Sequence, residues 1–138
     1  MDRPHPVPLP GGEGEDRLVE AAARYRGNAV SKRSGFSVGA AIEDETGKIW
    51  GGCNVENSTY GLTVCAERVA IWKALSEGVR KFRAVAVVTG ADAPTPPCGA
   101  CRQILWEFAG DVPIVMATTA GARKRFQLSD LFPEPFDF

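Results

Sequence analysis

Cys65-Ala66-Glu67-Arg68 and Pro97-Cys98-Gly99-Ala100-Cys101 are the two stretches on which the reading of this chain turns. The second sets two thiols three residues apart at the start of a helical pattern, where residues at that spacing are neighbours. The first adds a third, remote thiol. Three thiolates on one Zn²⁺ leave a fourth tetrahedral position for water. A glutamate two residues after Cys65 is then a candidate to move that water's proton. Both stretches open helices, whose N-terminal partial positive charge favours thiolate. Three thiolates leave the centre with net negative charge, and Arg68, beside Cys65, is placed to offset it by hydrogen bonding to sulfur.

Outward from these stretches the pattern alternates helix and strand. Residues 16–26 are rich in helix formers, acidic at the start and basic at the end. Residues 27–35 read as a loop, 36–42 and 48–54 as the two strands of a hairpin about Asp44-Glu45-Thr46-Gly47. Val69, Ile71, Trp72 and Leu75 fall at near-helical spacing across 65–77, with Gly78 closing the helix. The β-branched run 82–89 suits a central strand. A helix over 98–109 and strands over 113–117 and 124–127 follow, with one helical turn near 129–132. This order implies one mixed sheet with helices on its faces, in a domain over 16–138 behind a flexible Pro/Gly-rich tail, 1–15.

Composition narrows the function. The 138 residues carry a net charge of −1, with 44% hydrophobic and 24% charged residues, an ordinary globular balance. No basic surplus marks a nucleic-acid polymer as partner. No apolar run reaches the length of a membrane span, and no apolar leader segment precedes residue 16, so a cytoplasmic location is expected. Four cysteines in such a chain read as metal or catalytic residues rather than disulfides. The single histidine, His5, lies in the tail, so a zinc site here is built from thiolates. Two other readings stay open at this level. A Cys-x-x-Cys pair also serves redox chemistry, although that leaves Cys65 and Glu67 unused. A closed structural zinc site is possible with Cys53 as fourth ligand.

Four segments together resemble the small, homotetrameric, zinc-type cytidine deaminases of nucleotide salvage. They are Phe36-Ser37-Val38-Gly39-Ala40-Ala41, Gly52-Cys53-Asn54-Val55-Glu56-Asn57, Cys65-Ala66-Glu67-Arg68 and Pro97-Cys98-Gly99-Ala100-Cys101-Arg102-Gln103. They run in family order over roughly residues 16–136. The resemblance implies a three-layer α/β/α fold with a mixed five-stranded sheet. It implies one Zn²⁺ per subunit on Cys65, Cys98 and Cys101, Glu67 as the proton carrier, and hydrolytic deamination of cytidine and deoxycytidine. It further implies that Asn54 and Glu56 hold the ribose 3′-hydroxyl, that Phe36 packs on the pyrimidine and that Ala66 lines the substrate site. Tyr60 and Phe136 would complete it across subunit boundaries of a homotetramer. The chain departs from the family in Lys32-Arg33-Ser34-Gly35-Phe36, where Lys32-Arg33 replaces the usual Pro-Tyr of a Pro-Tyr-Ser segment, and at Ser58 and Thr63, where smaller residues are common. These changes bear on substrate choice and subunit packing, and they keep a modified cytosine nucleoside (blasticidin S-like or N4-substituted) as an alternative substrate.

Overall fold

Phe82–Thr89 (β3) is the middle of the sheet, and its alternation of valine and alanine suits a strand covered on both faces. A computed structural model describes residues 12–137. Within it the chain runs α1 (Glu13–Arg26), β1 (Val38–Asp44), β2 (Ile49–Cys53), a 3-10 turn (Tyr60–Leu62), α2 (Ala66–Ser76), β3, α3 (Gly99–Ala109), β4 (Pro113–Thr118), β5 (Arg123–Gln127) and α4 (Leu128–Leu131). The five strands lie in the order β2-β1-β3-β4-β5. β3 and β4 are parallel and every other pair is antiparallel, so the sheet is mixed, as expected.

The period-two alternation of the strands divides the core into two layers. Ala41, Ala84, Ala86, Val88 and Val115 meet Leu18 and Ala22 of α1 on one face. Ile42, Val85, Val87 and Ile114 meet Ala70, Ile71 and Leu105 of α2 and α3 on the other. The result is the α/β/α sandwich that the resemblance implied.

Two glycines bring helix backbone against the sheet. A Cβ on Gly39 would lie 1.9 Å from the Ala22 carbonyl oxygen of α1. One on Gly52 would lie 2.6 Å from Ala70 N and 2.7 Å from Ala66 O, both in α2. Gly52 therefore sets how closely the first turn of α2, with Ala66 and Glu67, approaches β2.

Two elements start two or more residues from where they were expected. α1 begins at Glu13 rather than 16, so Glu13, Gly14 and Glu15 leave the predicted tail and join the helix. The reason is tertiary: Glu15 is buried and takes hydrogen bonds from Arg123 and Arg125 of β5, more than a hundred residues away. The Arg125 contact leads in holding the Glu15 carboxyl below its ordinary range. The rest of the predicted tail, 1–11, lies outside the described residues. β1 begins at Val38 rather than 36, because the Asn54 side chain stands in for a ladder partner there: its Nδ2 donates to Phe36 O and its Oδ1 accepts from Val38 N, both at 2.9 Å.

Candidate active site and metal centre

Cys65 and Cys98 occupy the capping positions of α2 and α3, each with extended backbone at φ −72°, ψ 153° and φ −66°, ψ 167°. Cys101 is the third residue of α3 and is buried. The three Sγ atoms lie within 4.8 Å of one another, with Cys65 to Cys98 at 3.8 Å and Cys98 to Cys101 at 3.4 Å. A tetrahedral ion with bonds of about 2.3 Å to sulfur separates its ligands by about 3.8 Å, so the cluster fits zinc. Cys53, at the end of β2, is not a member of this group. The donor set is three thiols, which is the composition of an open catalytic site rather than a closed structural one.

The extended backbone of Cys65 also explains how it shares a site with Glu67. Two residues on a regular helix point to different faces. Cys65 is outside the helix, while Glu67 is its second residue, and both line one cavity. Glu67 is only 5% exposed, and burial pushes its carboxyl up to about 7. The Cys65 thiol is lowered to about 5, first by a hydrogen bond from Cys101 and then by Arg68. Cys101 is correspondingly raised, first by its interaction with the Cys65 sulfur and then by burial. Arg68 Nη2 donates to Cys65 Sγ at 3.3 Å, and its guanidinium stands 5.9 Å from the Trp72 ring centroid.

The cavity measures about 290 Å³ and joins Cys65 and Cys98 to most of the other expected residues. Phe36, Asn54, Glu56, Ala66 and Glu67 all line it with Cys65 and Cys98. Asn54 is buried and its amide is largely spent on the backbone entering β1. Its Nδ2 reaches Glu56 Oε2 only at 3.4 Å. The Glu56 carboxyl is held below its ordinary range, first by the Ser34 hydroxyl.

Tyr60 and Phe136 stand apart from this cavity. Tyr60 is 73% exposed on its 3-10 turn and lines a neighbouring hollow with Arg33, Ser34, Glu56 and Thr63. Phe136 is 65% exposed, and its carbonyl accepts a hydrogen bond from Gln103 Nε2 at 2.9 Å. Sequence reasoning missed Ser34, which lines the cavity and contacts Glu56, and the pair Thr89 and Thr95, whose hydroxyls meet at 3.0 Å in its wall. Ser34 lies in a loop with no periodic signal. Thr89 reads as one more residue of a buried strand.

Residues 13–118 match the model of the cytidine and deoxycytidylate deaminase zinc-binding region. The chain is 43% identical over 122 residues to a cytidine deaminase from Sporosarcina psychrophila, covering 88% of this chain and 90% of that one. The crystal structure of cytidine deaminase from Burkholderia pseudomallei superposes with a TM-score of 0.85 at 42% identity, covering 88% of this chain and 98% of that one. A blasticidin-S deaminase from Bacillus cereus is more distant, 31% identical over 104 residues, covering 70% of this chain and 74% of that one.

Proposed function

The chain belongs to the cytidine and deoxycytidylate deaminase family, and we propose that it converts cytidine and deoxycytidine to uridine and deoxyuridine with release of ammonia, as a zinc enzyme of pyrimidine salvage. The observation that carries this reading is a buried carboxylate, Glu67, in the wall of the same cavity as a three-thiol cluster of zinc dimensions.

Cys65, Cys98 and Cys101 would hold the metal. When bound, zinc supplies a Lewis acid that brings the pKa of a water towards ~7. Glu67 takes up a proton on its carboxylate, delivers it to N3 of the pyrimidine and then carries a proton to the departing amino nitrogen. In the net reaction one water is consumed, the C4–N bond breaks and C4 gains oxygen. Burial suits Glu67 to this work, because a carboxyl shielded from water holds a proton near neutrality. Arg68 steadies the thiolate charge through Cys65. Phe36 offers the pyrimidine an aromatic wall, Ala66 lines the base side, and Asn54 and Glu56 face the sugar. A carboxylate at the sugar end repels phosphate, which favours free nucleosides over polymers.

The subunits would form a homotetramer with shared sites. Tyr60, Leu62, Val55 and Phe36 are exposed apolar residues, and Phe136 also projects outward, so a neighbouring copy would bury surface that one chain leaves open. The expected location is cytoplasmic; among the described residues no helix is long and apolar enough to cross a membrane.

Loss of ultraviolet absorbance on zinc-loaded protein tests the reading, with cytidine, deoxycytidine, cytidine monophosphate and blasticidin S side by side. Turnover of the first two with little on the monophosphate is expected. Silence on both nucleosides, with activity on blasticidin S, would transfer the reading to a modified cytosine.

A further inference from the structure

The carboxylate of Glu56 is gripped by the loop that carries Arg33 and Ser34. Ser34 Oγ donates to Glu56 Oε2 at 2.5 Å. The backbone amides of Ser34 and Arg33 donate to Oε1 at 3.0 and 3.1 Å. The Ser34 hydroxyl also accepts from Phe36 N at 3.0 Å, so one short side chain ties the carboxylate to the backbone of the aromatic wall. The guanidinium of Arg33 works on the other side of the loop, donating to Ser58 Oγ at 2.8 Å and standing 5.6 Å from the Tyr60 ring centroid. Only the backbone of Arg33 reaches Glu56.

The acceptor count shows what this arrangement leaves open. A carboxylate oxygen has two lone-pair sites. Both sites of Oε1 are taken by backbone N–H groups that cannot rotate away. Oε2 has one strong donor, Ser34 Oγ, and one long contact from Asn54 Nδ2 at 3.4 Å. The weakly used site on Oε2 is therefore the place for a further O–H donor, on a residue that lines the cavity. Without the loop, a glutamate side chain in contact with solvent would have to give up rotamer freedom each time it met a ligand.

We infer that Ser34 is the positioning residue for Glu56 and that the Arg33–Ser34 loop thereby sets the enzyme's selection for a sugar bearing a free 3′-hydroxyl. This deepens the deaminase reading and rests on it. Ser34 is a specificity determinant: it acts on binding of the sugar through Glu56 and takes no part at the reacting carbon.

The test compares wild type, Ser34→Ala and Ser34→Thr, at equal zinc content, on cytidine and 3′-deoxycytidine. Wild type is expected to prefer cytidine. Ser34→Ala should raise KM for cytidine about tenfold, the scale of one charge-assisted hydrogen bond, with kcat within about threefold. Its KM for 3′-deoxycytidine, which has no hydroxyl to offer Glu56, should stay within about twofold, and Ser34→Thr, which keeps the donor, should restore cytidine binding. An unchanged KM for cytidine in Ser34→Ala would overturn the inference, as would an equal rise for both sugars, the signature of general loop damage. Wild type that treats both sugars alike would remove Glu56 from sugar recognition and the inference with it, while its turnover of cytidine would leave the deaminase reading standing.

Discussion

Glu67 and Glu56 line the same cavity and are driven in opposite directions by their surroundings. Glu67 sits in the first turn of α2, buried, and lack of water pushes its carboxyl up to about 7. Glu56 sits in the connection after β2, surrounded by donors, and the Ser34 hydroxyl leads in holding its carboxyl down. The first can take and release a proton near neutrality; the second stays charged and can only accept hydrogen bonds. On the proposed reading, the two carboxylates with separated proton affinities divide the work of the site, one for chemistry and one for recognition.

Their supports differ as well. The end with Glu67 is made of two helix starts, pressed to the sheet through contacts such as Gly52 against Ala66 and Ala70. The end with Glu56 is made of loops joined by single bridges, Val30 to Val55 and Val55 to Val64, and by hydrogen bonds to one side chain. On the proposed reading, proton transfer rests on helix starts packed against the sheet, and sugar recognition rests on loops held by hydrogen bonds to one carboxylate.

This contrast is breakable at either end. The largest effect is expected from Cys101→Ala, which takes a buried ligand from the cluster. Bound zinc, measured by elemental analysis, should fall from one per chain to near zero, and activity with it. Cys53→Ala should retain zinc, and its loss there would restore the closed four-cysteine reading. Next is Glu67→Gln, which keeps the shape of the buried side chain and removes its ability to carry a proton. The kcat for cytidine should fall about 10²–10⁴-fold with zinc content unchanged; a variant within about tenfold of wild type would end the proposed division of labour.

The smallest effect sharpens the comparison through pH. A carboxyl held below its ordinary 4.5 is already ionised at pH 5 and remains so as pH rises. Glu56→Gln should raise the KM for cytidine about tenfold. The ratio of that KM to the wild-type value, in which any titration of Glu67 is common to both proteins, should stay flat from about pH 8 down to about pH 5. A ratio that collapses towards one below pH 6 would show Glu56 taking up protons in that range, contrary to its hydrogen-bonded setting.

Much of the fold was legible in local pattern. The run at 84–89 is buried on both faces and is made of small and β-branched residues, so its burial was already present in its composition. The helices after Cys65 and Cys98 were legible from spacing and from glycines near their ends, because a helix repeats at short range. The start of α1 was not. Glu13 and Glu15 follow prolines and glycines and read locally as tail, and only the arginines of β5 give Glu15 a reason to be helical and buried.

The division at the site has the same cause. By itself the sequence determined the candidate groups: three cysteines and a glutamate at spacings that suit one ion and one proton carrier, since ligand type and number follow from residue identity. Only the tertiary structure decided that Cys65 and Glu67 converge, because Cys65 leaves the helix at its cap and escapes helical periodicity. Only the tertiary structure brought Ser34 to Glu56, 22 residues away, because a loop hydroxyl finds its partner through the folded path of the chain and leaves no periodic trace in the sequence.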